Sequence, residues 1–219
     1  LKPKAILFDL DGTLYDRDAA VRELIKEQHV HFDAALSHVP RETYVHRFME
    51  FDAHGYIERA IVYGEAAREF DLPGDLVERL IAHYWQTFPW FCRSYPEVPS
   101  ALLNLRANGF KLGMITNGSI PVQEMKIRQL GLAPLMDEIV IAGREGLSKP
   151  DPRIFERALQ RLGVAADQAW FVGDDPVADV RGAYDAGLTA VWRYTPHWPR
   201  PDVPSHEIRS IDELVRLLL

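Results

Sequence analysis

Cysteine is almost missing from this chain. Cys92 is the only one among 219 residues, so no internal disulfide can form and a reducing, cytoplasmic setting is expected. Long apolar runs are missing as well. None approaches the roughly 18 residues of a spanning helix, so no membrane partner is expected. Basic charge is in deficit: 25 Lys and Arg face 32 Asp and Glu, a formal net charge of −7. That balance argues against nucleic acid or an anionic surface as partner. A small anionic substrate stays open, because a local cation can outweigh the global sign. Internal repeats and low-complexity tracts are absent too. What is present is ordinary globular composition, 47% hydrophobic and 26% charged, at a length that suits one large domain or a domain with a sizeable insertion.

The pattern changes along the chain. In "KAILFDLDGTLYD" a short apolar run opens it as a strand and ends in Asp9 and Asp11, followed by Gly-Thr. Residues 18–90 then carry helical periodicity without a convincing strand. Val21, Leu24, Ile25, Gln28 and Phe32 mark a first helix, with Gln28 its polar interruption, and Tyr44, Val45, Phe48 and Met49 mark a second. A third runs from about Tyr56 to Phe70. The fourth has Leu76, Leu80, Tyr84 and Phe88 on one face, and Asp75 with Glu78 reads as a capping box. From Pro96 onward helices and short strands alternate. The strands are "FKLGMIT", "DEIVIAG", "AWFVG" and "LTAVWR". Asp151 and Pro152 start one of the helices and Gly163 ends it. The proline-rich "TPHWPRPDVPS" is loop, and Ser210 with Glu213 caps a last helix, Ile211–Leu218.

Alternating strands and helices predict an α/β fold with a doubly wound parallel sheet. The first strand must join that sheet to satisfy its backbone. The expected division is therefore an α/β core of residues 1–16 and 94–219, interrupted by a helical domain at 17–93.

Ligands of such sheets bind beyond the carboxyl ends of the strands, and the polar residues gather there. The first strand ends in Asp9, with Asp11 two residues on. The second delivers Thr116, Asn117 and Gly118. Lys149 precedes a helix start, and the fourth strand ends in Asp174 and Asp175 with Asp179 behind them. Carboxylates at buried strand ends are costly unless a cation compensates them. Asp9 and Asp174 with a backbone carbonyl suit Mg²⁺. Thr116 can donate to a phosphate oxygen, as can the N–H groups after it. Lys149 supplies fixed charge, Asp9 a nucleophile and Asp11 an acid and base, which fills the roles of phosphoryl transfer.

In order and spacing, "FDLDGTL", "ITNG", "SKPDP" and "VGDDPVADV" resemble the motifs of the haloacid dehalogenase-like (HAD) superfamily, whose core is Rossmann-like. The helical insertion resembles the type 1 cap of its phosphatase branch. The resemblance implies a Mg²⁺-dependent phosphatase acting on a small phosphorylated metabolite. Asp9 would become aspartyl-phosphate, and Asp11 would protonate the leaving alkoxide and then activate water. Asp9, Asp174 and the backbone carbonyl of Asp11 would hold magnesium. Thr116, Asn117 and Lys149 would bind phosphate, with Asp175 and Asp179 behind them. The superfamily's dehalogenases lack an acidic residue at the place of Asp11; an alkoxide needs a proton and a halide does not, so Asp11 points to phosphate esters. The alternative within the branch is a phosphomutase of the β-phosphoglucomutase type.

Other features carry less. His29, His31 and His38 do not share one helix face and read as surface or packed histidines. Trp85, Phe88, Trp90 and Phe91 are expected to pack as cap core or against the sheet domain. Cys92 reads as packing, and Arg17 as a residue outside the site.

Overall fold

The computed structural model describes residues 2–203 and 205–219. The chain divides into two compact units, Leu1–Asp16 with Ser94–Leu219, and Arg17–Arg93. In chain order β1 (Ala5–Phe8) comes first, and the helices α1 (Arg17–His31), α2 (Asp33–Leu36), α3 (Arg41–Asp52), α4 (Arg59–Glu69) and α5 (Gly74–Thr87) follow. Next are α6 (Val98–Ala107), β2 (Lys111–Thr116), α7 (Ile120–Gln129), β3 (Glu138–Ile141), α8 (Ala142–Glu145) and α9 (Pro152–Leu162). The chain closes with β4 (Ala169–Gly173), α10 (Gly182–Asp185), β5 (Thr189–Arg193), β6 (His206–Ile208) and α11 (Ile211–Leu218).

In the first unit the described strands form one parallel sheet in the order β3-β2-β1-β4-β5-β6. β1 lies in its middle with Ala5, Ile6, Leu7 and Phe8 fully buried, which is why it reads as a continuous apolar run rather than an alternating one. Phe8 pairs with Met114 on one side and Val172 on the other. One face of the sheet packs Leu7, Ile115 and Phe171 against Ile154, Phe155 and Ala158 of α9. That helix starts as its sequence suggests: the Asp151 carboxylate accepts from Arg153 N at 3.0 Å and Pro152 takes the first position. Ser210 Oγ likewise accepts from Glu213 N at the start of α11.

The helical unit explains its polar interruption. Gln28 is fully buried, donates from Nε2 to Leu80 O at 2.9 Å and accepts from Tyr63 OH at 2.8 Å. It thereby ties α1 to α4 and α5 through a core that includes Leu24, Phe48, Tyr63, Leu80 and Tyr84. Arg17 meets Asp52 through two bonds of 2.7 and 3.1 Å, and Arg59 closes on the same carboxylate. Asp52 is fully buried. His29 is held by Val39 O and His38 by Phe70 O.

Four expectations need correction. α5 begins at Gly74 with Pro73 as its cap and no side-chain capping bond, because Pro73 already sets the entry and leaves Asp75 within the first turn. Trp85 and Trp90 are not core: they are 38% and 64% exposed, whereas Phe88 is buried. β3 stops at Ile141, so Ala142 and Gly143, the end of the expected strand "DEIVIAG", open α8 instead. β6 was missed, because its three residues carry two exposed polar side chains and it serves only as an edge strand beside β5. Among the described residues no helix is long and apolar enough to cross a membrane.

Candidate active site

The parallel order sends every strand end to one edge of the sheet. Asp9 directly follows β1, and its N–H donates to Val172 O at 2.9 Å, continuing the ladder one residue past the strand. Asp174 follows β4. Lys149 reaches both Asp9 Oδ1 at 2.5 Å and Asp179 Oδ1 at 2.6 Å. One oxygen each from Asp9, Asp174 and Asp179 falls within 4.8 Å of the others, and all three residues are buried. Three carboxylates share one lysine, a local excess of negative charge.

Electrostatics record that excess. Burial pushes the Asp9 carboxyl up to about 7; Lys149 opposes this and Asp179 adds to it. Burial, Asp179 and Asp9 hold Asp174 well above the ordinary carboxylate range, and burial raises Asp179 as well. Lys149 is raised as well, which for a lysine favours the charged form. Burial would lower it, but Asp179 and Asp9 outweigh that and keep it firmly charged.

Asp11 stands apart. Its carboxylate accepts from Lys126 Nζ at 2.7 Å, from Gln123 Nε2 at 3.0 Å and from Tyr15 OH. Burial alone would raise it, yet Lys126 and these donors bring it down to about 2. Gln123 and Lys126 lie three residues apart on α7 and so share a face. Sequence reading missed both because their helix was judged by its apolar positions. The available signal was a Gln and a Lys at that spacing just after a strand ending in Thr116. Thr13 was missed too; its Oγ1 donates to Asp174 Oδ1 at 3.2 Å.

Thr116 Oγ1 accepts from Gln123 Nε2 at 2.5 Å, so one side chain links the hydroxyl to Asp11. Asn117 grips the backbone of Lys149, accepting from its N–H at 2.9 Å and donating to its carbonyl at 3.0 Å. Asp175 caps the following π-helical turn by accepting from Val177 N and Ala178 N. Asp179 Oδ2 accepts from Asp175 N at 3.1 Å, and Trp192 Nε1 donates to the Asp174 carbonyl at 2.8 Å.

Two glycines make this closeness feasible. Gly12 has φ +83°, and a Cβ there would lie 2.6–2.7 Å from the Asp174 carboxylate. At Gly173 a Cβ would come within 2.4 Å of Asp179.

Residues 3–187 match the haloacid dehalogenase-like hydrolase family. The chain is a HAD-like hydrolase. It is 34% identical to the glyceraldehyde 3-phosphate phosphatase of Methanopyrus kandleri across 97% of its own length and 95% of that protein's. Its fold matches that of YfnB from Bacillus subtilis, a HAD hydrolase solved bound to magnesium, with a TM-score of 0.81, 23% identity and coverage of 100% and 99% of the two chains. It also resembles the 2-haloacid dehalogenase of Pseudomonas syringae at 30% identity and a TM-score of 0.64, covering 99% and 98%. In this HAD-like hydrolase Asp11 stands two residues beyond Asp9, its carboxylate held by donors at three points.

Proposed function

We propose that this phosphatase of the HAD-like hydrolases cleaves a small phosphate monoester through an aspartyl-phosphate on Asp9, with Mg²⁺ as cofactor. The observation that carries the reading is the Asp9–Lys149–Asp179 bridge beside Asp174, with Asp11 clamped separately by Lys126 and Gln123. The donor set suits a hard divalent cation: it consists of buried carboxylate oxygens, and burial drives their pKa values up where a cation would bring them down. Asp9, Asp174 and the backbone carbonyl of Asp11 would hold the ion. When bound, it supplies positive charge that keeps the carboxylates ionised and offsets the charge of the phosphoryl oxygens.

The chain's own residues do the rest. An Asp9 oxygen bonds to phosphorus as the bond to the ester oxygen breaks, and the departing alkoxide takes its proton from Asp11. Water then attacks phosphorus, gives its proton to Asp11 and breaks the bond to Asp9, releasing inorganic phosphate. Lys149 stays charged throughout and stabilises the spread-out phosphoryl charge. Asp11 is ionised as the structure holds it, which is the form the second step needs. The proton that Asp11 takes from water in the second step is the one it gives to the leaving alkoxide of the next turnover. Thr116 and the N–H groups after it bind the phosphate, and Asn117 fixes Lys149. The Methanopyrus relative makes a three-carbon sugar phosphate the first substrate to try, and the single cysteine supports a cytoplasmic setting.

Purified protein with magnesium should release inorganic phosphate from members of a metabolite phosphate panel. Chelation with EDTA should stop turnover, and Asp9→Asn should abolish it. Asp11→Asn should cost several orders of magnitude with poor leaving groups and less with a nitrophenyl ester, each tenfold being about 1.4 kcal/mol. Full activity in Asp9→Asn would refute the nucleophile. Formation of an isomeric sugar phosphate without phosphate release, followed by NMR, would replace hydrolysis with mutase chemistry.

A further inference from the structure

We infer that Glu27, His31 and His83 form a binding site for a divalent transition metal, zinc foremost, built wholly within the helical unit. Glu27 and His31 stand one turn apart on α1, and His83 comes from α5. His83 Nε2 lies 3.5 Å from Glu27 Oε2, and His31 Nδ1 lies 3.9 Å from Glu27 Oε1. The two imidazole rings are 4.4 Å apart between centroids, and one ligand atom from each residue falls within 4.8 Å of the others. A tetrahedral zinc with bonds of about 2.0–2.1 Å needs ligand atoms about 3.4 Å apart. One edge is therefore already formed, and the others close with small side-chain turns.

The surroundings favour this. His83 is 9% exposed and packed against the Phe32 ring, so one ligand is fixed. Its Nδ1 lies 3.4 Å from the Gln28 amide nitrogen, a donor, so metal at Nε2, which leaves the ring proton on Nδ1, requires that long contact to open. Gln28 keeps its 2.9 Å bond to Leu80 O whichever ring nitrogen carries the proton. Glu27 and His31 are half exposed, with side chains 43% and 53% accessible; they can adjust and leave a fourth position to water. Two imidazoles and one carboxylate suit zinc, nickel or copper, whereas magnesium favours all-oxygen sites. Bound metal would join α1 to α5 and stabilise the helical unit by mass action.

The test titrates the full chain, saturated with Mg²⁺, with Co²⁺ as a spectroscopic probe and Zn²⁺ as competitor. The expected result is one strongly absorbing tetrahedral Co²⁺ equivalent, displaced by Zn²⁺ and retained in Asp9→Asn. His31→Ala and Glu27→Gln should each weaken it at least tenfold. Both are exposed positions, so neither threatens the fold as His83→Ala would. Wild-type protein should also melt at a higher temperature with Zn²⁺ than without, and the gain should vanish in His31→Ala. Absence of the band in the wild type, its persistence in His31→Ala, or its loss in Asp9→Asn would overturn the assignment.

Discussion

Gly12→Ala is the sharpest probe of how closely the two ends of this site are fitted. A methyl group at position 12 would lie 2.6 Å from the Asp174 carboxylate, where ordinary contact begins at 3.4 Å. Asp174 must therefore retreat by about 0.8 Å, and Thr13, which donates to its Oδ1 at 3.2 Å, cannot hold it in place. Misplacement on that scale costs on the order of 100-fold in rate, equivalent to about 2.7 kcal/mol of barrier. The left-handed backbone adds about 1–2 kcal/mol of lost stability for a residue with a side chain. Gly187→Ala separates the two effects. Gly187 has φ +82°, but its added methyl would meet only Ala166 Cβ at 3.5 Å. Steady-state hydrolysis of an aryl phosphate and urea unfolding, run on both variants, should show similar stability losses and a loss of turnover in Gly12→Ala alone. If Gly12→Ala kept more than a third of wild-type activity, or if both variants lost activity alike, the fit between Gly12 and Asp174 would not matter to the chemistry.

Asp52→Asn should destabilise the protein by about 3–5 kcal/mol, because it leaves Arg59 buried without a counter-charge; the urea midpoint at neutral pH measures this. Burial would raise Asp52, but Arg17 and Arg59 outweigh it and hold its carboxyl below the ordinary range. Its contribution is thus complete above the usual Asp value and is lost as pH falls through the lower folded value, so Asp52→Asn should flatten the acid limb of a stability profile. Asn117→Ala should lower kcat about tenfold with a smaller change in KM, since the Asn117 side chain holds the Lys149 backbone at both N–H and carbonyl and its loss lets that lysine shift. Lys149→Met should abolish turnover while the protein still folds in magnesium, as judged by circular dichroism.

How much of this could be read beforehand depended on range. Asp9 and Asp174 could be placed because a parallel sheet sends strand ends to one edge, and a residue just after an apolar run has nowhere else to go; Lys149, which lies beyond α8, was marked only by the helix start it precedes. The clamp on Asp11 was invisible for the opposite reason. Gln123 and Lys126 act from the inner face of α7, and helical periodicity tells which positions are buried without telling which buried positions are polar on purpose. Gln28 did show itself as a break in an apolar stripe, yet its partners Leu80 and Tyr63 lie on other helices. Local signals failed where two competed: Pro73 displaced the capping box expected at Asp75. β6 has too few residues and too little apolar character for any strand pattern to mark it.

The central position of β1 has a consequence for synthesis. Its two sheet neighbours begin at Lys111 and Ala169, so the first four strand residues emerge from the ribosome long before either partner exists. The helices of residues 17–93 have only near neighbours in sequence to find and can condense first. Until β2 is made, Ala5–Phe8 is an apolar ribbon with both edges bare, and the edge that β4 will cover stays bare until the last third of the chain follows, a state prone to pairing with another chain. Premature truncation between α5 and β4 would therefore release a product that retains its helices but aggregates through β1.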